Sequence, residues 1–297
     1  MNLESAIAVE AAAAGDSPPE PYRLVAPPRA AAALAQAGID LAGLANNHAG
    51  DGGGADITAA HLRQAGITPV GLESNQPILR QVKGVRLAFL AFNAVAGPGA
   101  ATKSAAAAAW WDKEAGLAAV RQARMAADAV IVSMHWGYEY DRRADPGQAT
   151  AAQALLLAGA DLVIGHHPHG IHEVLVWNQE NGHGRVAALS LGNFAFDQGQ
   201  GETGRGLALR AFFDQQGLRA VQLLPVQAGP RPHLAAPPGE ALPAVKPVVP
   251  VWETVRFACQ GETCSEHSVS LSPDAGAGLF QAGTVDLTGD RIPETIE

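Results

Sequence analysis

The run Ala160-Asp161-Leu162-Val163-Ile164-Gly165-His166-His167-Pro168-His169-Gly170 places three histidines at the end of a stretch that reads as a buried strand. An imidazole has polar nitrogens to satisfy and a charge that comes and goes near neutral pH, so histidines at this density are costly to bury without a partner. A bound metal is the simplest explanation. Three further polar clusters also follow apolar runs: Asn46-Asn47-His48 with Asp51, His135-Trp136-Gly137 with Glu139, and Leu191-Gly192-Asn193 with Asp197. Taken alone, Asn46-Asn47 is explained by loop-capping amides and His135 by a satisfied core histidine. Together they fall at the carboxyl ends of predicted strands, where ligand sites of open α/β sheets assemble, and point to one site. Imidazole nitrogen with carboxylate or amide oxygen suits a borderline divalent ion such as Zn, Mn or Fe. Two such ions can hold both the attacking and the leaving oxygen of a phosphoryl displacement. Hydrolysis is the chemistry this set fits best, with His167 and His169 as the leading ligands. His61, His172, His183, His233 and His267 lie outside the pattern or on its border and read as surface or supporting residues.

Alternating helical and β-rich segments between Pro27 and about Phe213 predict an α/β domain able to present these clusters. Helices are predicted at Pro28 to Ala37, Ala55 to Ala65, Ala109 to Ala126 and Gly147 to Leu157. Gly38, Gly66 and Gly159 stand where left-handed caps would end the first, second and fourth. Strands are predicted at Ile39 to Leu44, Val85 to Phe92, Ala129 to Met134, Asp161 to Ile164 and Arg185 to Leu191. Their apolar runs imply burial on both faces. One or two more strands follow through Leu224.

The 297 residues suffice for one large domain with a smaller appendage, and the formal charge of -9 excludes a phosphate-backbone-binding face, which needs clustered Lys and Arg. No nucleic-acid partner is expected, and no stretch is apolar enough for a membrane-spanning helix. Glu4 and Glu10 stand where a secretory signal would carry basic residues. Prolines at 230, 232, 237, 238, 243, 247 and 250 mark residues 229–250 as a linker, between a main domain over 1–228 and a small β-rich module over 251–297. In that module Trp252 to Phe257 and His267 to Leu271 read as a hairpin around Cys259 and Cys264, which are either bonded across the turn or two reduced bystanders. Asp286 and Asp290 space oxygen donors around Gly289 in a way that suits calcium, although a plain Asp-Gly turn has the same appearance.

Ala45-Asn46-Asn47-His48 with Asp51 and Gly52, His135-Trp136-Gly137-Tyr138-Glu139, Gly165-His166-His167-Pro168-His169 and Ser190-Leu191-Gly192-Asn193-Phe194 with Phe196-Asp197 resemble, in order, the motifs of the bacterial CapA proteins. Asn2-Leu3-Glu4 is similar to that family's early motif. These are poly-γ-glutamate capsule synthesis proteins within the calcineurin-like metallophosphoesterase superfamily. The resemblance implies a two-sheet α/β/β/α sandwich holding two metal ions. It assigns Asn47 as the amide ligand, His48 as the proton donor to the leaving oxygen, and His135, His167 and His169 as ligands, with His166 as the alternative to His167. Asp51 joins His48 as a catalytic candidate, and Glu4 stands where the bridging carboxylate is expected. Asn46, Glu139 and Asn193 belong to the motifs as site-lining residues.

The family pattern also begins with a strand ending in Gly-Asp, ahead of Asn-Leu-Glu, whereas here Met1 directly precedes Asn2. The expectation is therefore a domain without its first strand and first metal carboxylate, through truncation, a misplaced start or real loss. The carboxyl end similarly resembles the opening of an extracellular integrin-like propeller repeat that does not close. The resemblance implies a metal-dependent hydrolase at the cell envelope or extracellular face, its signal or anchor missing from this chain. It would act on a phosphoester or an anionic polymer, alongside capsule synthesis or export proteins. Two alternatives use the same residues: a non-catalytic scaffold that binds polymer, and an amidase that cuts it.

Overall fold

The computed structural model describes residues 1–9, 23–72, 75–95, 108–178, 183–198 and 201–234, and the backbone of 253–260 and 263–270. Most of the prolines of the expected linker, and the calcium candidates Asp286 and Asp290, lie outside the described residues, as do the side chains of Cys259 and Cys264. Among the described residues the fold is mixed α/β, with four α-helices and a large sheet.

Two compact units divide the chain. The first takes residues 1–78, 89–119 and 132–136. Its early elements are β1 (Ala6–Ile7), β2 (Val25–Ala26), α1 (Arg29–Gln36), β3 (Leu41–Gly43), α2 (Ala55–Gln64) and β4 (Thr68–Val70). β1 pairs with β2 and β3 with β4, both in parallel. On its other side β3 meets the amino terminus, where Leu3 N–H donates to the Gly43 carbonyl at 2.9 Å and Gly43 N–H to the Met1 carbonyl at 2.7 Å. Leu3, Ile7, Ala42, Leu44, Ala59, Leu62 and Ile67 form the core beneath, so residues 2–4 are held by both backbone pairing and apolar burial. Gly38 and Gly66, at φ 83° and 84°, end α1 and α2 in the left-handed conformation their positions predict.

Next come β5 (Ile78–Val82), β6 (Val85–Asn93), α3 (Lys113–Ala126) and β7 (Ala129–His135), which contribute residues to both units. α3 starts four residues later than its alanine-rich sequence predicts. Ala109 and Trp111 are occupied in pairing with Asn93, whose N–H donates to the Ala109 carbonyl at 2.8 Å and whose carbonyl accepts from Trp111 N–H at 2.7 Å. Asp112 Oδ1 then accepts from Ala115 N–H at 2.9 Å and opens the helix. Extended pairing thus overrides the helix propensity of alanine.

The second unit takes residues 79–88, 120–131 and 137–297. It adds α4 (Pro146–Ala158), β8 (Leu162–His166), β9 (Val174–Asn178), β10 (Gly184–Ala188), β11 (Arg205–Asp214), β12 (Gly217–Gln227), β13 (His233–Leu234), β14 (Glu253–Gln260) and β15 (Thr263–Ser270). The sheet runs in the order β15-β14-β9-β10-β8-β7-β6-β5, with β11, β12 and β13 joined to it through β10. β14 and β15 form the expected hairpin, with Cys259 and Cys264 as direct backbone partners. α4 is bounded by its own sequence: Asp145 caps it in a reciprocal box with Gln148, Pro146 occupies its first turn, and Gly159 closes it at φ 119°.

β8 and β10 are parallel neighbours and β9 is antiparallel to β10, so the segment after each of these strands is tied to the others. β10 ends at Ala188, earlier than predicted. Leu189 N–H donates to the Glu173 carbonyl and Leu191 N–H to the Gly165 carbonyl, which turns the strand end into the base of the histidine loop.

Candidate metal centre

In the first unit, the loop leaving β3 carries Asn46, Asn47, His48 and Asp51 before Gly53 and Gly54, both at positive φ, admit the chain to α2. Asn46 is buried and structural. Its Nδ2 donates to the Leu3 carbonyl at 2.8 Å and to Asn2 Oδ1 at 3.3 Å, while its Oδ1 accepts from His48 N–H at 3.1 Å. One amide therefore pins the loop to the residues that carry Glu4.

His135, the last residue of β7, is 1% exposed. Its Nε2 lies 2.7 Å from Asn47 Oδ1 and 3.5 Å from Glu4 Oε1. An imidazole nitrogen, an amide oxygen and a carboxylate oxygen thus meet at one point, the mixed donor set that a borderline divalent ion takes. His48 Nδ1 lies 2.7 Å from Asp51 Oδ2, which also accepts from Leu24 N–H at 2.7 Å. The Arg23 guanidinium donates to the Asp51 backbone carbonyl. Asp51, 5% exposed, therefore holds the proton on Nδ1 and leaves Nε2 as the reactive nitrogen of His48.

In the second unit, the loop after β8 holds its histidines in unusual backbone. His167 has φ 100° and His169 has φ 59°. Side-chain-bearing residues adopt such angles only when their surroundings impose them, and such residues concentrate at functional sites. Ser190 Oγ donates to the Gly170 carbonyl at 2.6 Å and His172 N–H to the Ser190 carbonyl at 3.1 Å, closing the loop at its base. Ligand nitrogens of His167 and His169 lie within 4.8 Å of one another. His169 Nδ1 lies 2.8 Å from Asn193 Oδ1, which fixes the tautomer and makes Nε2 the nitrogen His169 can offer an ion. Asn193 is itself anchored, its Nδ2 donating to the Thr203 carbonyl at 3.1 Å.

His166 is half-buried, and desolvation pushes its imidazole down to about 3, so it is neutral at physiological pH. Glu139 is exposed on the loop after β7. His172 and His183 are both buried. His172 Nε2 donates to the Asp141 carbonyl, and His183 lies 2.9 Å from Asp214. Supporting roles fit them, and surface roles do not. Tyr140 and Phe196 pack against His169, and Gln198 donates to the Tyr140 hydroxyl, although no residue type among the three marks it as chemical. The one signal was position, since Tyr140 and Phe196 fall inside or beside the motifs.

Gly206 backs Asn193 so closely that a Cβ there would stand 1.8 Å from the Asn193 carbonyl oxygen. Gly206→Ala must push Asn193 away and loosen His169. The expected cost is about 1–3 kcal/mol in urea unfolding, with a loss of metal affinity alongside it.

Residues 1–198 match the family described as bacterial capsule synthesis protein PGA_cap, and the chain belongs to that family. The family lies in the metallophosphoesterase superfamily. The capsule biosynthesis protein CapA of Bacillus anthracis is 32% identical over 219 residues, covering 69% of this chain and 52% of that protein. The PGA biosynthesis protein CapA of Bacillus subtilis strain 168 is 34% identical over 200 residues, covering 63% and 51%. The chain thus spans about half the length of the curated relatives it matches. Among solved structures, a hypothetical protein from Thermus thermophilus has a TM-score of 0.42 at 16% identity, covering 68% of this chain and 78% of that one. The NAD nucleotidase of Haemophilus influenzae has a TM-score of 0.41 at 13% identity, covering 82% and 45%. Among the described residues no helix is long and apolar enough to cross a membrane.

Proposed function

We propose that this chain is a metal-dependent hydrolase of capsule synthesis, working at the cell envelope on a phosphoester or on the anionic polymer itself. Glu4, Asn47 and His135 of the first unit would hold a divalent ion, and His167 and His169 of the second would hold one as well, the ions being Mn, Zn or Fe. The observation that carries the reading is the meeting of His135 Nε2 with Asn47 Oδ1 and Glu4 Oε1, beside the His48–Asp51 pair. Family membership supports it, because relatives named for capsule and polymer biosynthesis share this stretch of chain.

When bound, the ions supply Lewis acidity and activate water for attack. The chain's own residues do the rest. Asn46 and Asn193 orient the donor loops, Asp51 keeps Nδ1 of His48 protonated, and His48 gives a proton to the departing oxygen from its other nitrogen. The net charge of -9 repels an acidic polymer at long range, so recognition is local to the metal and salt weakens it little.

Purified protein should contain transition metal, cleave a generic phosphodiester, lose that activity on chelation and recover it with Mn²⁺. His169→Ala should neither hold the metal nor turn over. If the variant and the parent are equally metal-free and inactive, a scaffold role replaces the hydrolase. If metal binds and only a γ-glutamyl polymer is cut, the enzyme is an amidase.

A further inference from the structure

Tyr140 combines three features that folding alone does not explain. Its backbone is left-handed at φ 64°, the residue is 55% exposed, and its ring stacks on His169 with centroids 5.7 Å apart and planes 25° apart. A half-exposed aromatic contributes little core burial, and glycine would adopt this backbone at no steric cost. Yet the segment is fastened on every side. Tyr140 N–H donates to the Pro168 carbonyl at 2.9 Å, His172 Nε2 donates to the Asp141 carbonyl at 2.8 Å, and Gln198 Nε2 donates to the Tyr140 hydroxyl at 2.9 Å.

We propose that Tyr140 is a positioning residue that fixes the plane of the His169 imidazole, so that Nε2 meets a metal ion in one orientation. The inference rests on His169 being a metal ligand. The ring turns only about its Cβ–Cγ bond, and the hydrogen bond from Nδ1 to Asn193 limits that turn to the angular tolerance of a single bond. Tyr140 stacks on the ring, and Phe196 packs against it at 5.2 Å and 41°, which closes the remaining freedom. A ligand held in this way loses less entropy on binding its ion, and outer groups that orient a metal-binding histidine typically change affinity by about 10–100-fold.

The test is cobalt titration of the full chain, followed by the visible absorption of bound Co²⁺ and by thermal unfolding without metal. Tyr140→Gly relieves the backbone while deleting the ring. It should melt no lower than the parent, bind Co²⁺ about tenfold or more weakly, and show an altered cobalt spectrum. Tyr140→Asn, a second residue type at home in left-handed backbone, should behave the same way. Tyr140→Phe keeps the stack and should restore affinity to within about threefold of the parent. Parental affinity and spectrum in either the Gly or the Asn variant overturn the proposal. His169→Ala separates the two ideas. If it loses cobalt while Tyr140→Gly keeps it, the positioning role alone fails; if it binds cobalt as the parent does, the metal reading of His169 fails as well.

Discussion

His135→Ala is expected to abolish the rise in melting temperature that Mn²⁺ gives the parent, and to lower metal-dependent turnover by about 10³-fold. The argument begins in the strand. β7 is buried along almost its whole length, so its terminal residue is delivered with little freedom to the point where Asn47 Oδ1 and Glu4 Oε1 meet. An ion that binds the folded chain and not the unfolded one stabilises it by about 2.7 kcal/mol at a hundred times its dissociation constant. Alanine removes the nitrogen donor and keeps the strand, so that increment should vanish. The apo variant should also lose about 1–3 kcal/mol of its own stability, because the buried Asn47 amide oxygen is deprived of its donor. These two losses are separable by urea unfolding with and without Mn²⁺. A variant that is destabilised yet gains the parental increment from Mn²⁺ would show His135 to be a core histidine and no ligand. The readout needs no substrate, so it tests the donor set independently of any reaction.

The sequence made the α/β alternation and the chemistry-bearing loops legible because both are local. Apolar runs bounded by glycine report strands and helix ends directly, and Gly38, Gly66 and Gly159 adopt the left-handed caps they predict. What escaped depended on partners distant in the chain. The late start of α3 is decided by Asn93, whose pairing with Ala109 and Trp111 no alanine count registers. The structural role of Asn46 depends on the Leu3 carbonyl, which only the folded chain brings within reach. Tyr140 was hidden for a related reason. Exposed tyrosine is unremarked in a sequence, and only its positive φ and its stack on His169 separate it from a surface residue. Backbone conformation at His167 and His169 was likewise illegible, since neither residue type advertises a left-handed angle.

His48 should matter in proportion to how poor the leaving group is. With Nδ1 held by Asp51 at 2.7 Å, its Nε2 is the nitrogen that can deliver a proton to a departing oxygen. An alkoxide leaves badly without that proton, whereas p-nitrophenolate leaves readily without it. His48→Ala is therefore expected to lower kcat by about 10²–10⁴-fold on an alkyl phosphodiester and far less on a p-nitrophenyl one, with metal content unchanged. Asp51→Asn tests the pairing behind it. The amide can no longer fix Nδ1–H by charge, so the variant should fall between parent and His48→Ala on the alkyl ester. It should also lose stability, because Leu24 N–H now donates to a neutral acceptor. Equal losses on both esters would assign His48 to a step before leaving-group departure, such as holding the substrate or the ion. That outcome would remove it from proton transfer while leaving the donor set at His135 untouched.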